Sequence, residues 1–203
     1  MPITPKLVET AFEQWKRWGF TTRSLHGALT LGGVEAKSPY VGYVNDYWRA
    51  VGEPSWNGAT PKPWSAAFVS HCFKAAGAGT GFPYDSGHAG YCAKILTDRT
   101  TYAKLSLEDP ATAVLAPGDA LWAARAGTGC VRPPATYAQA VALLAHGGWF
   151  CSHCDVVVAV RPGEVDVIGG NVSDSVTQTT LVTKGGRIAD PRHVWLGVIK
   201  NGL

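Results

Sequence analysis

The stretch "PKPWSAAFVSHCF", Pro61 to Phe73, sets a serine at the point where a proline turn runs into an amphipathic helix. Ser65 suits two jobs there. As an N-cap its hydroxyl would satisfy orphan backbone N–H groups; as a nucleophile it would gain from the helix dipole, which favours developing negative charge. Nucleophilic serine needs a base within hydrogen-bond reach and a third group to orient that base. His153 opens a strand in "HCDVVVAV", and Asn171 ends the next in "IGGNV". If these strands form a hairpin through "RPGE", Asn171 lies beside His153. Asp155, two residues after His153 and on the same strand face, is an equal candidate for the orienting role. A histidine satisfied at a sheet edge is the plain alternative for His153.

His88, in "SGHAGY", opens the helix after the Ser65 helix, with Ser86 as a possible cap. It either lines a substrate cleft or stands in solvent. Trp64, Tyr91 and Trp149 could supply an aromatic wall for a sugar or peptide, although Trp64 also suits a packing anchor. "CSHC" at Cys151 to Cys154 invites a zinc site. Strand alternation argues against it, sending Cys151 and His153 to one face and Cys154 to the other. The reading is no metal, no organic cofactor and available thiols. Five cysteines in a chain of 203 residues make an odd set in a protein too long to need a disulfide framework.

The elements that must position these residues follow from periodicity. "KLVETAFEQWKRWG" and "YVGYVNDYWRAVG" carry apolar and aromatic residues at helical spacing. "LAPGDALWAA", "HCDVVVAV", "EVDVIGGNV" and "HVWLGVIK" read as strands. Helices first and antiparallel strands after make an α+β layout. Residues 1–60 read as a helical portion of the same domain, and residues 61–203 as the core that carries the chemistry. A long insertion at about 123–148 holds a helix at Tyr137 to Ala145.

Composition bounds the rest. At 46% hydrophobic and 16% charged, the chain can bury one sizeable core. The net charge of +3 is spread along the chain, which argues against nucleic-acid binding. No apolar run is long enough for a membrane span, and the first twenty residues lack the pattern of a secretory signal. Export would then use lysis or a dedicated secretion machine.

The ordered blocks "PWSAAFVSHCFKAAG", "PGDALW", "HCDVVVAV" and "VIGGNVSDSV" resemble the papain-like cell-wall hydrolases of the NlpC and CHAP kind. More narrowly, the chain resembles a bacterial domain family within that group that shares "PWSAAF", "HCD", "IGGNV", "VGYVNDYW" and "SGHAGY". The resemblance implies a papain-like fold, with N-terminal helices on a small antiparallel sheet. It also implies an amide hydrolase acting on peptidoglycan, as a secreted antibacterial effector or a lysis enzyme. Ser65 would attack, His153 would act as base, and Asn171 or Asp155 would hold the ring. Peptidoglycan or its stem peptides would be the partner, together with an immunity protein if the protein is a toxin. The departure lies at Ser65, where the wider group has cysteine, and at Gly169, where some relatives carry an acidic residue. Serine is the poorer nucleophile. The alternatives are a silent peptidoglycan-binding module, a serine standing where cysteine was replaced, and an acyltransferase or deamidase acting on a protein.

Overall fold

The structure, a computed structural model, describes residues 2–127 and 129–203, so Met1 and Thr128, the latter inside the expected insertion, lie outside the described residues. The elements run in the order α1 (Thr4–Arg17), β1 (Thr21–Arg23), β2 (Leu29–Thr30), α2 (Tyr40–Ala50), α3 (Ser65–Ala75) and α4 (His88–Thr97). They continue as β3 (Leu105–Glu108), β4 (Ala120–Ala124), α5 (Tyr137–Ala145), β5 (Ser152–Arg161), β6 (Glu164–Val172), β7 (Ser175–Lys184), β8 (Arg187–Ile188) and β9 (Trp195–Asn201).

The expected α+β mixture is present, but the sheet is not small. Nine strands lie in the order β2-β1-β7-β6-β5-β4-β9-β3, with β8 on β7. Neighbours are antiparallel except β1 on β7, which is parallel. The N-terminal third is therefore not wholly helical; it adds two strands at the sheet edge. That edge is held by Thr21 Oγ1 and Ser175 Oγ, 2.8 Å apart and buried. β5 and β6 do form the hairpin through Arg161 to Glu164.

Strand alternation divides the apolar residues between two cores. Cys154, Val156 and Val158 of β5, with Ala120 and Trp122 of β4, pack against the helices in the larger cluster. Leu121, Val157, Val165, Val167, Leu181 and Val198 form a smaller cluster on the other face. His153 and Asp155 share the parity of Val157 and stand at the start of β5.

The aromatic residues of the first helices fix the entry to α3. Trp64 is fully buried and stacks with Trp18 at 5.2 Å and with Tyr47 at 5.4 Å between ring centroids. Trp18 Nε1 donates to Tyr47 Oη (2.8 Å), and Trp64 Nε1 donates to the Glu35 carboxylate. The expected alternative, in which Trp64 lines a substrate cleft, is thus replaced by the packing role: a ring with no exposed face cannot meet a ligand.

α3 also packs directly on β6, and glycine makes the approach possible. A Cβ at Gly170 would stand 2.4 Å from Phe68 Cβ and 2.7 Å from Trp64 Cζ3. Gly170→Ala is therefore expected to push α3 off the sheet and cost about 1–3 kcal/mol, the usual range for an overpacked core. Denaturant unfolding checks this; an unchanged midpoint would mean that the contact is slack.

Candidate functional site

Ser65 is the first residue of α3 rather than its cap; Trp64 holds the cap position, and no side chain caps the helix. The first helical hydrogen bond runs from Phe68 N–H to the Trp64 carbonyl (2.9 Å). The N–H groups of Ser65, Ala66 and Ala67 precede it and have no partner within the helix. With capping excluded, the buried Ser65 hydroxyl, in a residue only 3% exposed, bonds to His88 Nε2 at 2.7 Å.

His88 comes from the first residue of α4. Its cap is Gly87, not Ser86, and Asp85 Oδ1 takes the Gly87 N–H (2.9 Å). The His88 ring, 4% exposed, is neither in solvent nor a cleft wall alone, because its Nδ1 is bonded to Tyr91 Oη one turn along the same helix. Tyr91 is fully buried and so is not part of an aromatic wall. Ser65, His88 and Tyr91 thus form a continuous chain of hydrogen bonds. Two proton arrangements satisfy it: Ser65 donates to Nε2 while Nδ1–H donates to Tyr91, or both senses are reversed.

The expected direct pairing of Ser65 with His153 is not what the structure holds. No hydrogen bond joins them; the His153 ring lies 5.3 Å from the His88 ring, and its Nε2 is bonded to Asp155 Oδ1 at 2.7 Å. Of the two expected orienters, Asp155 is the one bonded to the His153 ring. Asn171 makes no hydrogen bond to His153 and adopts a left-handed backbone (φ 58°) in the irregular stretch of β6 between Gly169 and Val172. Asparagine tolerates that conformation better than most residues, so Asn171 shapes the strand end. Gly169 acquires a reason as well. A Cβ there would stand 1.7 Å from Asp155 Oδ1, so the space beside a residue-169 side chain is filled by the carboxylate of the neighbouring strand.

The two histidines open on different cavities. Ser65 and His88 line one of about 170 Å³, with Arg125, Trp149, Phe150 and Ser152 in its wall. His153, Asp155 and Asn171 line another of about 330 Å³, and Arg125 is the one residue common to both. Trp149, 57% exposed, does border the Ser65 cavity as expected of an aromatic wall.

The thiols are not all available. Cys151 is joined to Cys130 in a disulfide, tying the insertion to the start of β5, while Cys72, Cys92 and Cys154 are buried and free. Burial pushes the Cys72 thiol well up, so it is no thiolate and no substitute nucleophile. With Cys151 in a disulfide and Cys154 buried among the core residues, "CSHC" does not act as a ligand set. Among the described residues no three His, Cys, Asp or Glu side chains converge as a metal site.

Burial holds the His88 imidazole well below its ordinary pKa, and the neighbouring His153 and Arg125 add to the effect. His71 and His193 are lowered too, chiefly by burial. A depressed histidine is neutral in the folded chain and protonates more readily when unfolded. Its contribution is complete above about pH 6.5 and is lost as the pH falls below that value toward the folded pKa. Stability should therefore drop between pH 7.5 and 5, and His88→Gln should flatten part of that slope, leaving the share of His71 and His193. Denaturant unfolding at the two pH values measures this; an equal slope in both proteins would contradict a neutral, buried His88.

Residues 36–200 match a bacterial family described as "Uncharacterized protein conserved in bacteria (DUF2272)". No curated protein and no solved structure matches the chain. No helix among the described residues is long and apolar enough to cross a membrane. The match includes Ser65, His88, Arg125, His153 and Asp155 and covers most of the sequence, and the chain belongs to this bacterial DUF2272 family.

Proposed function

We propose that the protein is an amide hydrolase with Ser65 as nucleophile, acting on the peptide part of the bacterial cell wall. The observation that carries the reading is the 2.7 Å bond between the Ser65 hydroxyl and His88 Nε2 at the first residue of a helix, in the wall of a cavity. The wall as substrate rests on the resemblance of the "PWSAAF", "HCD" and "IGGNV" blocks to NlpC and CHAP hydrolases.

Ser65 Oγ attacks the amide carbon while its proton passes to His88 Nε2, and the new O–C bond leaves an oxyanion. The free N–H groups at the start of α3 supply donors for that charge. His88 then returns the proton to the amide nitrogen, the C–N bond breaks, and the acyl group stays on Ser65. Water, deprotonated by His88, releases the acid and restores the serine. Tyr91 holds the ring through Nδ1. The depressed basicity of His88 has two consequences. It weakens the base in the first step and strengthens the acid in the second, where an amine must be expelled. Its imidazolium forms only beside the oxyanion, and in a site of low dielectric that pairing offsets the cost of burying the charge.

Incubating purified sacculi with the protein and resolving released fragments by mass tests the reading. New amines without new reducing ends are expected. Ser65→Ala should lower the rate at least ~10³-fold and His88→Gln ~10²–10⁴-fold, the range for loss of a general base. His153→Ala should cost less than His88→Gln. The opposite order would make His153 the base, and a silent wild type that still binds sacculi would indicate a binding module. Release of ammonia from protein glutamine instead of wall fragments would favour the deamidase alternative.

A further inference from the structure

The Ser65 cavity contains one formal charge and no counter-charge. Arg125 follows β4, and its N–H donates to the Cys151 carbonyl (3.1 Å), which anchors the backbone beside the disulfide. Its side chain is exposed and makes no hydrogen bond or ion pair among the described residues. Several cations elsewhere pair with carboxylates, among them Arg17 with Asp46, Lys94 with Asp85, Arg161 with Asp166, Arg192 with Asp190 and Lys200 with Asp119. Among the described residues no acidic side chain lines the Ser65 cavity.

A second polar group in the same wall also lacks a partner. Ser152 is 7% exposed, and its hydroxyl is buried with no hydrogen bond among the described residues. It pairs with Ala124, the residue before Arg125, across β4 and β5, and both Ser152 and Arg125 line the cavity. A buried hydroxyl left unpaired is costly, and a guanidinium is a planar donor suited to two oxygens at once.

We infer that Arg125 and Ser152 form a carboxylate subsite in the Ser65 cavity. The substrate presents a free carboxylate close to the bond that Ser65 attacks; that last relation rests on the proposed nucleophile, whereas the subsite itself does not. Arg125 lines both cavities, so an acidic ligand seated on it lies at the boundary between the Ser65 and His153 sides.

Titrating the full chain carrying Ser65→Ala with N-acetylated dipeptides, as free acids and as the matching amides, tests the subsite without turnover. The acid is expected to bind at least ~10-fold tighter than the amide, since only the carboxylate forms a charge-assisted pair with the guanidinium. Arg125→Gln should erase that preference, Arg125→Lys should keep part of it, and Ser152→Ala should reduce it several-fold. Arg125 is exposed, so an unchanged thermal midpoint in Arg125→Gln verifies folding. Equal affinity for acid and amide, absence of binding by either, or a preference that survives Arg125→Gln overturns the subsite. Tighter binding of a phosphorylated dipeptide than of the acid overturns carboxylate as the ligand. Failure of the hydrolase reading is separate: the wild type would then be silent on sacculi while the acid preference persisted.

Discussion

The position of Ser65 depends on the burial of the residue before it. Trp64 stacks with Trp18 of α1 and Tyr47 of α2, and its indole N–H ends on Glu35. These contacts bring three separate N-terminal segments onto one ring, which sets where α3 begins. With Trp64 fixed, the next side chain in the helix turns toward α4, and the hydroxyl meets His88. The glycines of β6 complete the arrangement from the other side, Gly170 by admitting α3 and Gly169 by admitting the Asp155 carboxylate. The aromatic N-terminal portion thus serves the site although none of its side chains lines the Ser65 cavity.

Around Ser65 the electrostatics are one-sided. His88 is kept neutral by burial and by the neighbouring His153 and Arg125. The Asp155 carboxylate is already bonded to His153. Negative charge must therefore come from outside, as the oxyanion of a reacting amide or as an acidic group on the ligand. A cavity with a neutral histidine, an unpaired guanidinium and an orphan hydroxyl is complementary to an anion before any ligand arrives.

Much of this frame was legible from sequence, and the failures have physical reasons. The helices at Ser65 and His88 and the β5–β6 hairpin followed from periodicity and turn residues, because each is a local pattern. β7 was missed: "SVTQTTLVTK" looks polar, yet its threonines are β-branched strand formers and Thr177, Thr179 and Thr183 are buried. The parallel pairing of β1 with β7 joins residues some 150 positions apart and leaves no local signal. The place of Ser65 at the start of a helix was legible, but its hydrogen-bond partner was not. Choosing between His88 and His153 depends on how α4 packs against α3, which no spacing reveals. The HxxY spacing of His88 and Tyr91, one turn apart on a helix, was the available clue. Arg125, Ser152 and the Cys130–Cys151 disulfide offered no motif at all.

The central claim is that the Ser65 hydroxyl, paired with His88, is the reacting group of this protein. A fluorophosphonate reports this directly, since an activated serine displaces fluoride and keeps the phosphonyl group on its oxygen. Intact mass after labelling should show one adduct per chain. Peptide mapping should place it on Ser65, and His88→Gln should lose most of the labelling rate while His153→Ala keeps more of it. An unlabelled chain, or an adduct on any other residue, would contradict the account.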